Sequence, residues 1–313
     1  MQTVVLPLLG NIHTNASITG SQSMTFVSES RQIIAKACGT HITGKASKHM
    51  ILFTRSSTTS CVTLVIDILN LLFLNLKEIV VFLSCMKHYS NMILWREIGY
   101  RIVMIDITKD YLAVLEDELG KSEEKVKIGA FTTMLNVTGQ SLDTEAISDV
   151  LHKYNAISVF YYATASSYLP TQISSKDIIY FSPYKLQGGY NTPRVLILKK
   201  SLIDLHSVPS KSGEGIVFYI SKDHHRFLSN QIEWYEGSTP DIVGIVSVAL
   251  ALILKRNVEK QYEILAPKVG FSRTLLEYKY DIYDKVWKRL SSYPNLHILR
   301  PKEKKAPIFS FLI

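Results

Sequence analysis

The sequence predicts an α/β fold: a mixed, mostly parallel seven-stranded sheet covered by helices on both faces. Three observations carry this. Short apolar runs recur without polar alternation, the pattern of strands buried on both faces. Segments of helical period separate several of them. The last two runs are joined by a Gly-Gly bend too short for a parallel crossover, so one strand there is antiparallel.

In chain order the strand-like runs are MILFT (50–54), EIVVFLSC (78–85), RIVMIDI (101–107), KVKIGAF (125–131), AISVFYY (156–162), DIIYFS (177–182) and RVLILKK (194–200). Helical patterns cover 58–75, 90–98, 111–119 and 144–155. Beyond the sheet, 241–260 reads as a buried helix and 270–292 as a more polar one ended before Pro294. IFSFLI (308–313) is strand-like. No repeat or low-complexity linker intervenes. The expected division is a large domain over 1–258 and the beginning of a truncated small domain over 259–313.

Composition narrows the function classes. Of 313 residues, 47% are hydrophobic and 20% charged, as in soluble globular proteins. A net charge of +8 suits an anionic ligand. The basic residues are scattered and not interleaved with aromatics, so a nucleic acid is not the expected partner. Three cysteines without a CxxC pair argue against a disulfide framework and a zinc site. The N-terminal stretch lacks the basic region of a signal peptide. The longest apolar segment, 61–76, is shorter than the roughly 20 residues of a membrane span and carries Asp67 and Asn70. No membrane partner and a cytoplasmic location are therefore expected.

The common phosphate and nucleophile motifs fail. No GxGxxG follows a strand, and no GxSxG occurs. Gly120-Lys121-Ser122 resembles the end of a P-loop, but Leu115 stands where its first glycine belongs. His224-His225 reads as a surface loop. Chemistry-capable residues instead follow strand ends, where open α/β sheets bind ligands. Ser56, Ser57, Thr58 and Thr59 stand between a strand and a helix, as ordinary N-caps or as an anion cradle. His88, Asn136, Ser182 and Lys185 follow other strands.

These residues lie in segments that resemble the class V aminotransferase and cysteine desulfurase family, of the fold-type-I enzymes dependent on pyridoxal phosphate. SCMKHYSNMILWREIG is similar to the family's histidine segment, LNVTG to its asparagine loop, FSPYKLQGG to its lysine loop and WYEGSTP to its glycine-threonine loop. GNIHTNASITG resembles the start of a eukaryotic and protist branch. The resemblance implies pyridoxal 5'-phosphate as cofactor, an amino-acid substrate, a homodimer, and transamination or elimination through a Lys185 Schiff base. By it, His88 stacks on the pyridine ring and Asn136 donates to the phenolic oxygen. Thr59, Ser182 and a neighbouring subunit's Thr239 grip the phosphate, with Ser57 and Thr58 beside Thr59. Tyr161, Thr164 and Tyr184 complete the expected cofactor-binding set. Glycines 188 and 189 are expected to make room for the cofactor.

Several positions depart from the family pattern. Tyr161 replaces the aspartate that keeps the pyridine nitrogen cationic, Tyr184 replaces a histidine, and Arg55 and Ser57 replace glycines. No cysteine follows Cys85, so cysteine desulfuration lacks its late-loop nucleophile. The alternative reading is an impaired homologue that keeps the fold as a binding or scaffold protein.

Overall fold

A computed structural model describes residues 1–12, 17–44, 47–54, 58–108, 110–204, 216–237, 239–269, 274–299 and 306–313. The chain opens with helix α1 (Ile18–Ala37), capped by the Ser17 hydroxyl on the Gly20 N–H. There follow β1 (His49–Thr54), α2 (Thr58–Ile68), β2 (Ile79–Ser84), α3 (Ile93–Ile98), β3 (Arg101–Ile105), α4 (Tyr111–Lys121), β4 (Val126–Thr132), α5 (Thr144–Lys153), β5 (Ile157–Tyr161), β6 (Ile178–Phe181) and β7 (Arg194–Lys199).

All seven expected strands form one sheet, in the order β1-β7-β6-β5-β4-β2-β3. β7 is antiparallel to both β6 and β1, and the other pairs are parallel. The carboxyl ends of the other six strands therefore share one edge of the sheet with the amino end of β7. All six residues of β2 are buried because both faces are covered. One core joins Val80, Phe82, Phe131 and Phe160 to α1, α4 and α5. The other joins Val81, Leu83, Ala130 and Tyr161 to α2 and α3.

The rest of the chain adds a hairpin of β8 (Val217–Ile220) and β9 (His225–Phe227), then α6 (Gln231–Glu236) and α7 (Ile242–Leu265). Last come α8 (Leu275–Leu290), β10 (His297–Ile298) and β11 (Phe311–Leu312). His224 and His225 are exposed as expected, but in a hairpin rather than a plain loop. α8 begins in a capping box of Thr274 and Glu277, and the 308–313 run supplies β11, paired with β10.

The 58–75 segment is not one helix. Asn70 adopts φ 52, a left-handed conformation that ends the helical path, and a 3-10 turn over Leu71–Phe73 follows. Likewise 90–98 splits at Met92 into a 3-10 turn (Tyr89–Asn91) and α3.

Candidate active site

The shared edge gathers most of the expected residues. β6 ends at Phe181; Ser182, itself buried, then leads into a 3-10 turn of Pro183–Lys185. Pro183 supplies the fixed φ that starts the turn, and the Lys185 N–H closes it on the Ser182 carbonyl at 3.1 Å. The turn is tied to its neighbour: Ser167 Oγ donates to the Lys185 carbonyl at 2.9 Å. Thr164, half-buried, begins that neighbouring turn directly after β5.

Lys185 keeps exposed surface, yet its amine is held below the ordinary lysine range. Partial burial is the larger cause and the nearby Arg194 charge the second. Arg194, the first residue of β7, stacks its guanidinium 4.3 Å from the centre of the Tyr184 ring. Tyr184 and Arg194 line a cleft of about 610 Å³ together with Thr239 and Asp241. The Asp241 carboxylate caps α7, accepting the Gly244 N–H at 2.8 Å.

The glycines of this loop have a role in the loop itself. A Cβ on Gly189 would fall 1.9 Å from the Pro183 carbonyl oxygen, so the loop's own backbone fills that space. Gly188 adopts φ 81 at the bend. Both are needed to close the Lys185 loop on itself.

Tyr161 closes β5 and is 4% exposed. Its ring stacks on Tyr180 with centroids 5.1 Å apart. The His88 ring meets it edge-on at 6.4 Å. His88 is exposed after β2, and its Nδ1 accepts the Ser90 N–H at 3.2 Å. Beneath them Tyr180 donates to Asn91 Oδ1 at 2.8 Å, and Asn91 Nδ2 donates to the Ala130 carbonyl at 2.9 Å. Burial raises the Tyr180 phenol well above its ordinary value, so it stays a donor.

Asn136 is exposed in the turn after β4, with no described hydrogen bond or ring contact to Lys185 or His88. That turn is gripped by the C-terminal segment: the Ala306 N–H donates to the Gly139 carbonyl at 3.0 Å, and Ser310 Oγ donates to the Val137 carbonyl at 2.6 Å. Thr59 is exposed in the first turn of α2. Arg55 and Ser57 lie outside the described residues, as does the side chain of Thr58.

Sequence reasoning missed Arg194, whose signal was a charged residue opening an otherwise apolar strand. It also missed Asn91, a buried amide three residues beyond His88, and the pairing of Arg31 with Glu236.

The Aminotransferase class-V family model matches residues 1–313. The chain belongs to the class V aminotransferase family. A curated relative, the cysteine desulfurase of Synechococcus elongatus, is 24% identical over 97% of this chain, which spans 46% of that protein. A probable cysteine desulfurase of Mycoplasma pneumoniae is 24% identical over 96% of this chain and 70% of its own length. Among solved structures, the cysteine desulfurase of Thermococcus onnurineus superposes with TM-score 0.76 at 18% identity, covering 98% of this chain and 73% of that one. A NifS-like protein from Rickettsia africae gives TM-score 0.72 at 21% identity, over 98% of this chain and 75% of that one. These structures bear out the predicted fold within the family.

Proposed function

We propose that the protein is a pyridoxal-phosphate-dependent enzyme acting on an amino acid by transamination or elimination, with Lys185 as the residue that takes up the cofactor. The observation that supports this most is the Lys185 amine itself, placed at the carboxyl edge of the sheet and held below the ordinary lysine range. An amine attacks a carbonyl only when neutral, so a lowered pKa is what such a residue requires.

The donor set fits the group. Lys185 offers an amine for the aldehyde, and Arg194 offers a cation for the phosphate. His88 stands at the rim beside Tyr161. The phenol of Tyr161, in place of a carboxylate, is the largest mismatch beside those of Tyr184, Arg55 and Ser57: it would hydrogen-bond to a ring nitrogen but supply no charge. When bound, the cofactor supplies an electron sink for charge developing at the substrate Cα.

The chain's residues do the rest. Lys185 Nζ removes and returns the proton at the substrate Cα. The Ser90 N–H on His88 Nδ1 leaves the neutral ring's proton on Nε2. The Tyr180–Asn91–Ala130 chain fixes the floor under Tyr161.

The named relatives are cysteine desulfurases, but two of the three thiols here are unsuited to accepting sulfur, and no cysteine follows Cys85. Burial pushes Cys38 and Cys61 up to about 12, too high for a nucleophile. Cys85 is exposed, with Sγ 3.9 Å from Asp106. A homodimer also belongs to this proposal, and sedimentation tests it.

Purified protein mixed with the cofactor should develop a visible absorption band that hydroxylamine removes and Lys185→Ala lacks. Protein that stays colourless, with no borohydride-trapped adduct on Lys185, would favour the scaffold reading.

A further inference from the structure

Arg194 opens β7 at the sheet edge directly opposite Thr54, the last residue of β1. Thr54 leads into the 55–59 segment, the helix approach expected from the sequence to receive an anion. The half-buried guanidinium is braced against Tyr184, and its Nη1 donates to the Thr192 carbonyl at 2.9 Å. Its Nε is buried without a hydrogen-bond partner among the described residues. No carboxylate pairs with it there.

A partly desolvated cation with unfilled donors is unfavourable until an acceptor arrives. The planar fork of arginine matches the oxygens of phosphate or carboxylate. The adjoining cleft of about 610 Å³ is large enough for such a group. Register beside Thr54 favours the phosphate over the carboxylate of a substrate.

We propose that Arg194, braced on Tyr184, is the oxyanion-binding residue of this site and holds the phosphate of the aldehyde cofactor that Lys185 takes up. The proposal rests on the functional reading above. It assigns to β7 a charge that the 55–57 segment, with arginine and serine for glycines, need not supply alone.

The test compares wild type, Arg194→Gln and Tyr184→Ala for the concentration of pyridoxal phosphate, and of pyridoxal without its phosphate, that half-saturates the visible band. At a pH above the plateau of uptake in every protein compared, loss of a charge-assisted contact should raise the pyridoxal phosphate requirement of Arg194→Gln between about tenfold and about 100-fold and leave pyridoxal unchanged. Tyr184→Ala should shift the same way by less. An equal change with both aldehydes, or none with either, overturns the proposal. So does an effect confined to the preference of loaded protein for alanine over alaninamide, which would assign Arg194 to the substrate carboxylate. If circular dichroism shows that Arg194→Gln does not fold, Arg194→Lys, which keeps charge and loses the fork, is read against the same outcomes. If wild type forms no band, the functional reading fails separately. Calorimetry with inorganic phosphate then decides: binding weakened in Arg194→Gln supports the oxyanion site, and binding equal to wild type or absent from both overturns it.

Discussion

Arg31 and Glu236, 205 positions apart, form a buried ion pair that closes the free edge of β1. The edge strand leaves the Ile51 carbonyl and the Phe53 N–H without a ladder partner; Arg31 donates to the first and Glu236 accepts from the second. The Arg31 guanidinium also lies 4.7 Å from the centre of the Phe53 ring. Unpaired edge groups invite pairing with another chain, so the pair satisfies and shields the strand together. Glu236 also fixes the entry to the segment that carries Thr239 into the cleft.

Removing one partner strands a charge, whereas removing both does not. Glu236→Gln should therefore cost roughly 3 kcal/mol. The double variant Arg31→Met/Glu236→Met should cost less than the sum of its single changes. Urea midpoints at constant slope measure all three. Additive losses would mean that the two charges do not depend on each other.

Tyr161 is predicted to limit turnover. A phenol gives a ring nitrogen a hydrogen bond but no charge, so Tyr161→Asp should raise amino-acid turnover about 10- to 150-fold, the equivalent of roughly 1.5–3 kcal/mol. Because Tyr161 stacks on Tyr180 in the core, the variant should also unfold earlier. A folded, cofactor-loaded variant with unchanged turnover would show that the ring nitrogen is not limiting.

The pH dependence of Lys185 follows from its surroundings. Its lowered pKa leaves it neutral at a pH where an ordinary lysine is still protonated. Uptake of pyridoxal should rise with pH and level off earlier than it does for free lysine. Arg194→Gln removes the second cause of the shift, so the plateau should move to higher pH. Stopped-flow absorbance checks the direction; a plateau that moves down, or stays put, contradicts the assigned cause.

The seven strands were legible in the sequence because burial on both faces makes them continuous apolar runs. Lys185 was legible because a strand, a proline turn and two glycines frame it. Helix α1 was not. Its buried face is built partly from Gly20, Ser23, Ser30 and Arg31, so apolar periodicity is faint. The hairpin of β8 and β9 carries exposed Phe218, Tyr219 and Ile220, and no buried face marks it. Asn70 reads as an ordinary helical position until its left-handed backbone is seen. Arg194 reads as a charged flank of an apolar strand, and only the register with Thr54 and the Tyr184 stack give it a place in the site.

The turn that carries Asn136 depends on Gly139. Its φ is 69, and a Cβ would fall 2.7 Å from the Ala306 carbonyl oxygen. Gly139→Ala should therefore cost the left-handed penalty of about 1–2 kcal/mol together with the clash, and should release residues 306–310 from the turn. Gly44→Ala is the control: φ is 81 there, but nothing lies within 4 Å, so only the backbone penalty applies. Faster hydrogen exchange at 306–313 in the first variant alone would match. Equal exchange in both would mean that the C-terminal segment does not rest on the turn.

Acid should weaken the Asp177 cluster at the opposite end of the sheet. Asp177 accepts from Lys199 Nζ at 2.7 Å, from the Ser158 N–H at 2.8 Å, and pairs with His152 Nε2 at 2.8 Å. Burial alone would raise its carboxyl, but these bonds outweigh it and hold the group below the usual aspartate range. As pH falls, the unfolded chain takes up the proton first, near pH ~3.9. The stabilisation is thus complete above that value and is lost as pH falls through the lower folded value. Asp177→Asn should cost roughly 2 kcal/mol at neutral pH, and its difference from wild type should shrink in acid. Urea unfolding at the two pH values checks this. A difference that persists undiminished in acid would place the pH dependence on other carboxylates.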